Sequence, residues 1–152
     1  MTLPVTTSPA SEPDMRELEY NTFANPRDQV ALQKAVDPPV FPLVEALNNL
    51  PGITTIGSCC GHFGFFGFGS SPYTYFLAPV PFAERLHKML ETDTRLKLRW
   101  SVTPMFHPTA GLAFLLSARR NPLRAYLETA DIAWLVTLVQ RAASLTPPGV
   151  SA

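Results

Sequence analysis

Arg95-Leu96-Lys97-Leu98-Arg99-Trp100-Ser101-Val102-Thr103 is the stretch on which the reading of the fold turns. Leu96, Leu98, Trp100 and Val102 alternate with Arg95, Lys97, Arg99, Ser101 and Thr103. That is the period-two pattern of a strand with one face on a core and the other toward water. Toward the C-terminus, Pro104–Ala110 reads as a connection and Leu112–Ala118 as a more continuously apolar strand suited to a central place. Asp131–Ala143 then gives a helix that buries Ile132, Leu135, Val136 and Val139.

Toward the N-terminus, Pro81 opens a helix with Phe82, Leu86, Met89 and Leu90 inward and Glu84, Arg85, Lys88 and Glu91 outward. Tyr73–Ala78 makes a strand, and Phe63–Pro72 is a loop dense in glycine and phenylalanine. Ile53–Gly57 is a short β-branched strand. Ahead of it, Asp37-Pro38-Pro39 announces a helix, with Asp37 as cap acceptor and proline in the first turn. Val40, Leu43, Val44 and Leu47 share one face of that helix, and Pro51-Gly52 stops it. A short helix over Arg27–Ala35 precedes it, with Pro26 at its start. The order predicts an α+β domain: a mainly antiparallel sheet of about four strands with helices packed on one face. Periodicity alone leaves the strand order open.

The 152 residues suffice for one cored domain, expected over residues 15–145 between disordered tails at 1–14 and 146–152. Twelve basic and twelve acidic side chains cancel, so no global field points to nucleic acid or to a membrane surface. Sixteen prolines cluster in the tails and at element boundaries, where they punctuate the fold. No apolar run reaches the roughly 18–20 residues that span a bilayer. The first residues lack the basic start and hydrophobic stretch of a secretory signal. A cytoplasmic protein with two reduced cysteines and no membrane partner is the expectation.

Chemistry concentrates in Ser58-Cys59-Cys60-Gly61-His62. Gly61 permits a backbone conformation closed to other residues, which lets a ligand approach or turns amides toward an anion. A thiol beside imidazole is open to activation as thiolate, and the same thiols with His62 are open to metal binding. Equally, the cysteines can serve as small hydrophobes in a tight turn. Zinc is not expected, because structural sites use cysteines spaced two to four residues apart and Cys59 and Cys60 are adjacent. His87 reads as a solvated helix residue, and His107 as the histidine best placed to meet His62. Phe63, Phe65, Phe66 and Phe68, interleaved with glycine, either stack on a base or cap the core, and as a lid would cover the same pocket. Arg95, Lys97 and Arg99, with Arg119, Arg120 and Arg124, form either a phosphate-contacting strip or plain solvated surface.

The order of these motifs resembles the wybutosine-synthesising tRNA methyltransferase family. The resemblance lies in Asp37-Pro38-Pro39-Val40-Phe41-Pro42-Leu43-Val44-Glu45-Ala46-Leu47-Asn48 followed by Thr55-Ile56-Gly57-Ser58-Cys59-Cys60-Gly61-His62. The family has an Asp before a helix ending in Ile-Asn, a short spacer, then Thr-Thr-Ser-Ser-Cys-Ser-Gly-Arg. Asp37, Asn48, Thr55, Ser58, Cys59 and Gly61 match directly. Gly57 and Cys60 stand where the family has serines, and His62 where it has arginine. The family's Lys-Gly pair corresponds to Lys34-Ala35. His62 offers a pH-dependent donor in place of a permanently charged fork. Ser-Cys-Cys-Gly-His is also similar to small uncharacterised phage and bacterial proteins, a likeness that implies no activity.

The resemblance implies S-adenosylmethionine as cofactor and methyl transfer to RNA or a nucleotide, as in tRNA processing. On that reading His62, Cys59 and Asp37 are the catalytic set, with His62 as base and Asp37 as orienting group. Asn48, Thr55, Ser58, Cys60, Gly61, His107 and Arg99 bind ligand. Two alternatives stand beside it. One is a non-catalytic module for a nucleotide, RNA or protein, of phage or bacterial origin. The other is a thiol or metal protein using Cys59, Cys60 and His62.

Overall fold

The computed structural model describes residues 29–61, 71–108, 110–118 and 128–145. Helix α1 spans Gln29–Ala35, α2 Phe41–Asn48, and strand β1 Thr54–Cys59. β2 (Tyr73–Leu77) leads to helix α3 (Val80–Thr92). β3 (Trp100–His107), β4 (Gly111–Ala118) and helix α4 (Glu128–Ser144) complete the order. The four strands form one sheet in the order β1-β2-β4-β3, every neighbour antiparallel. This is the α+β class expected from the sequence. The apolar strand Gly111–Ala118 is indeed internal.

Register fixes which residues share a face. Val102 and Leu116, Trp100 and Ala118, Phe76 and Phe114 are cross-strand partners. Together with Leu43, Val44 and Leu47 of α2, Leu86 and Leu90 of α3, and Leu135 and Val139 of α4, they build the principal core. Ala113 and Ile56 are also buried but stand outside that cluster. Ala113 alternates to the other face, where the rings of Tyr75 and His107 meet 5.8 Å apart. Ile56 is the extra residue of a bulge, since the β1–β2 register shifts between Thr55 and Gly57.

Three expectations are corrected. The strand read from Leu96 begins only at Trp100, although Leu98, Trp100 and Val102 are buried as the alternation required. The carboxylate of Asp131, 2% exposed at the start of α4, accepts the amides of Lys97 at 2.7 Å and Leu98 at 2.8 Å. It also accepts the indole N–H of Trp100 at 3.0 Å. A side chain thus takes amides that a longer strand would present to a neighbour. At the other end, Pro104 does not end the strand, which continues to His107. Proline is tolerated there because β3 is an edge, where a missing N–H facing outward costs no ladder bond. Asp37, finally, is not a side-chain cap. Helix α2 starts at Phe41 with no side-chain cap bond, and the backbone carbonyl of Asp37 receives the amides of Val40 and Phe41.

Candidate functional site

Helix α2 and strand β1 run antiparallel and are tied at both ends. At one end Asn48 Oδ1 accepts the amide of Thr55 at 2.8 Å and its hydroxyl at 3.0 Å. At the other, Asp37 Oδ2 accepts the amide of Cys60 at 3.1 Å. The eight residues of α2 rise ~12 Å, and Asp37, four residues ahead of Phe41, reaches the far end of the strand, where the five steps from Thr55 to Cys60 cover ~16 Å. The separation of Asp37 from Asn48, and of Thr55 from Cys60, is what this double tie requires.

Beyond β1 the backbone turns through Gly61, whose φ of 83° lies in the region open to glycine. Its amide donates to Cys59 Sγ at 3.4 Å, and the Cys60 thiol donates to its carbonyl at 3.3 Å. Both sulfurs therefore gather around one residue, and neither cysteine is in a disulfide. Burial pushes the Cys60 thiol up to about 11, with the Asp37 carboxylate beside it and the charge of Cys59 adding to the rise. At neutral pH it is a thiol, so Cys60 is not an activated nucleophile. Tyr73, the register partner of Cys59, is raised by burial and by the charges of Cys59 and Asp37. One step inward, Ser58 faces Thr74. Both hydroxyl oxygens are buried and without a hydrogen-bond partner among the described residues.

The Asn48 end opens into a cleft of about 460 Å³, lined in part by Leu32, Glu45, Asn48, Leu50, Ile53 and Thr54. Small-molecule sites fall in this range of volume. The turn below it passes through Gly52 at a φ of 74°. Asn48 Nδ2 is buried and has no hydrogen-bond partner among the described residues.

Asp37, Asn48, Thr55, Ser58, Cys59, Cys60 and Gly61 are thus brought together along one helix–strand unit. Arg99 and His107 are not. Cys59, Tyr73, Ser117 and Ser101 share a row across the sheet, and Arg99 precedes Ser101 on the far edge. Three strand spacings put it on the order of 14 Å from the turn. Arg99 is exposed and pairs with Glu91 at 3.8 Å. His107 lies six residues beyond Ser101, ~20 Å along the strand. It is 7% exposed, and its Nδ1 accepts the amide of Ala110 to close the β3–β4 turn. It ends a strand rather than lying in a connection. His87 is exposed on α3, as expected.

His62, the phenylalanine–glycine segment and Arg119, Arg120 and Arg124 lie outside the described residues. Among the described residues no cluster of three or more His, Cys, Asp or Glu is placed to hold a metal ion. Sequence reasoning passed over Tyr73, Thr74 and Glu45. Only the β1–β2 register and the wall of the cleft single them out, so no local pattern would have found them.

No protein-family model matches the chain, and no curated protein matches it. Among solved structures, that of the PH1069 protein from Pyrococcus horikoshii aligns over 86% of this chain and 90% of its own. The identity is 12% and the TM-score 0.43, a likeness that says nothing about the site.

Proposed function

We propose that the chain is a ligand-binding or enzymatic relative of the wybutosine-synthesising tRNA methyltransferases, acting in the cytoplasm with S-adenosylmethionine on RNA or a nucleotide. One observation carries this reading. Asp37, Asn48, Thr55 and Gly61, matched positions spread over the N-terminal part of the domain, belong to one hydrogen-bonded helix–strand unit. The orphaned polar atoms of Asn48 and Ser58 are of the kind that a polar cofactor satisfies, and these residues would hold it. When bound, S-adenosylmethionine supplies an electrophilic methyl group. The protein's part is alignment, with Asp37 fixing the turn and His62 as the group to take a proton. No helix among the described residues is long and apolar enough to cross a membrane.

Calorimetry with S-adenosylmethionine, followed by transfer of its labelled methyl group to tRNA, tests the reading. Heat of binding and labelled RNA support it; no heat at millimolar ligand removes it.

A second reading, a non-catalytic module for a nucleotide, RNA or protein, is favoured by the distance of Arg99 from the turn. That leaves the phosphate-contacting role expected of it without a place at the site. RNA binding without methyl transfer would single this reading out.

A further inference from the structure

Helices α3 and α4 pack side by side and run in opposite directions. Arg85 Nε, early in α3, donates to the carbonyl of Ala142 at 2.8 Å. Asp93, just past the end of α3, accepts the indole N–H of Trp134 at 2.7 Å. The outer seam between the helices therefore includes Trp134 and Arg141, about two turns or ~10 Å apart along α4. Arg95 and Arg141 are exposed, and their guanidinium groups approach the centre of the same indole ring to 4.3 Å and 5.1 Å. These two cations are thus within ~10 Å of each other, about one screening length at 0.1 M salt. Among the described residues neither has a carboxylate within ion-pair distance.

The charges on both helices are sorted so that the seam is positive. Beyond Asp131, α4 carries no acidic residue. On α3, Arg85, Lys88, Met89 and Thr92 follow one stripe at helical spacing. Glu84 and Glu91 fall on another stripe, and Glu91 pairs with Arg99 at 3.8 Å. Asp93 does stand at the seam, but its oxygens accept from the indole and from the amides of Arg95 and Leu96. Contact with an indole leaves the N–H donors of a guanidinium for anionic oxygens, and its fork matches those of a phosphate. A row of cations without matching carboxylates calls for a linear polyanion.

We propose that the α3–α4 seam binds the phosphate backbone of single-stranded RNA through Arg95, Arg141 and Lys88. The surface uses none of the residues of the cysteine turn. That the strand is RNA rests on the function proposed above; the phosphate contacts rest on the seam alone.

The test follows binding of a short mixed-sequence RNA strand to the full chain by fluorescence anisotropy over a salt series. The same sequence as DNA, and vesicles of phosphatidylserine in phosphatidylcholine, are the comparisons. Two double variants accompany it, Arg95→Gln with Arg141→Gln and Arg95→Lys with Arg141→Lys, with melting temperatures to verify folding. RNA is expected to bind the wild type and to bind the glutamine variant about tenfold more weakly, or worse. Each lost phosphate contact makes the log–log salt dependence shallower by about 0.7, so the glutamine variant loses about 1.4 and the lysine variant keeps its slope. Bound RNA is also expected to alter the emission of Trp134, since Trp100 is buried at 2% exposure. Failure of the wild type to bind RNA at low salt overturns the proposal. So does RNA binding that the glutamine variant leaves unaltered, or binding of vesicles or DNA without RNA. Should the glutamine double variant not fold, Arg141→Gln alone decides, with a slope shallower by about 0.7 expected. S-adenosylmethionine binding without RNA binding sinks the seam and leaves the methyl-donor reading standing. RNA held through these arginines without S-adenosylmethionine binding does the reverse.

Discussion

The amide of Cys60 donates to Asp37 Oδ2 at 3.1 Å across 23 positions of sequence, joining the entry of α2 to the exit of β1. Replacing Asp37 by Ala removes a charged acceptor, and a loss of about 1–3 kcal/mol is expected in urea unfolding. The same substitution lowers the Cys60 pKa, because the carboxylate is one cause of its rise. Burial is the larger cause, so the value falls only part of the way toward its ordinary 9.0. Alkylation rates of a Cys59→Ser background against pH, with and without Asp37→Ala, read this directly.

Cys60 also gives stability a pH dependence. Its folded pKa lies above the unfolded one, so its contribution is complete below about 9 and disappears as pH rises toward about 11. Over that window the melting temperature of the wild type is expected to fall more steeply than that of Cys60→Ser.

Asp131 serves two backbone amides and one indole from a buried position. Asp131→Ala strands these donors, and a loss on the order of 3–5 kcal/mol is expected. Asp131→Asn keeps one acceptor oxygen and falls between. Chemical denaturation ranks the three proteins.

Asp93 is partly buried, which by itself raises its pKa. The Trp134 indole, the amides of Leu96 and Arg95 and the Arg95 charge together outweigh that and lower it. The stabilisation is therefore present above the unfolded carboxylate value and is lost as pH falls through the depressed one. The guanidinium groups of Arg95 and Arg141 lie 4.3 Å and 5.1 Å from the centre of the Trp134 ring, so its fluorescence reports on the contact. Asp93→Asn is expected to flatten the acid limb of the stability profile below about pH 4, where carboxylates titrate.

Asn48→Ala removes the acceptor for both the amide and the hydroxyl of Thr55. Thr55 is fully buried, so roughly 2 kcal/mol of stability is expected to go with it. Thr55→Val, which deletes only the hydroxyl, costs less; thermal unfolding of the two separates the contributions.

What the sequence disclosed was periodic or local. The alternation from Leu96 to Val102 named the inward face of β3, and the apolar run from Leu112 named an internal strand. The beginning of β3 was hidden because it depends on Asp131, more than thirty residues downstream. Its end was hidden because Pro104 is acceptable only on an edge, and strand order is a tertiary property. Asp37 looked like a helix cap since caps are local, whereas its partner amide belongs to Cys60. The turn around Gly61 was legible from composition; the cleft at Asn48 was not, because its walls come from α1, α2 and the turn before β1 and share no pattern.

Among the described residues the last strand to leave the ribosome, β4, sits between β2 and β3 and is what joins them. Until residue 118 has emerged, β1–β2 and the future edge strand are separate pieces, and β2 and β3 each offer an unsatisfied border. Assembly of this domain is therefore a late, nearly single event in synthesis, and chains cut short before β4 are the ones expected to associate wrongly.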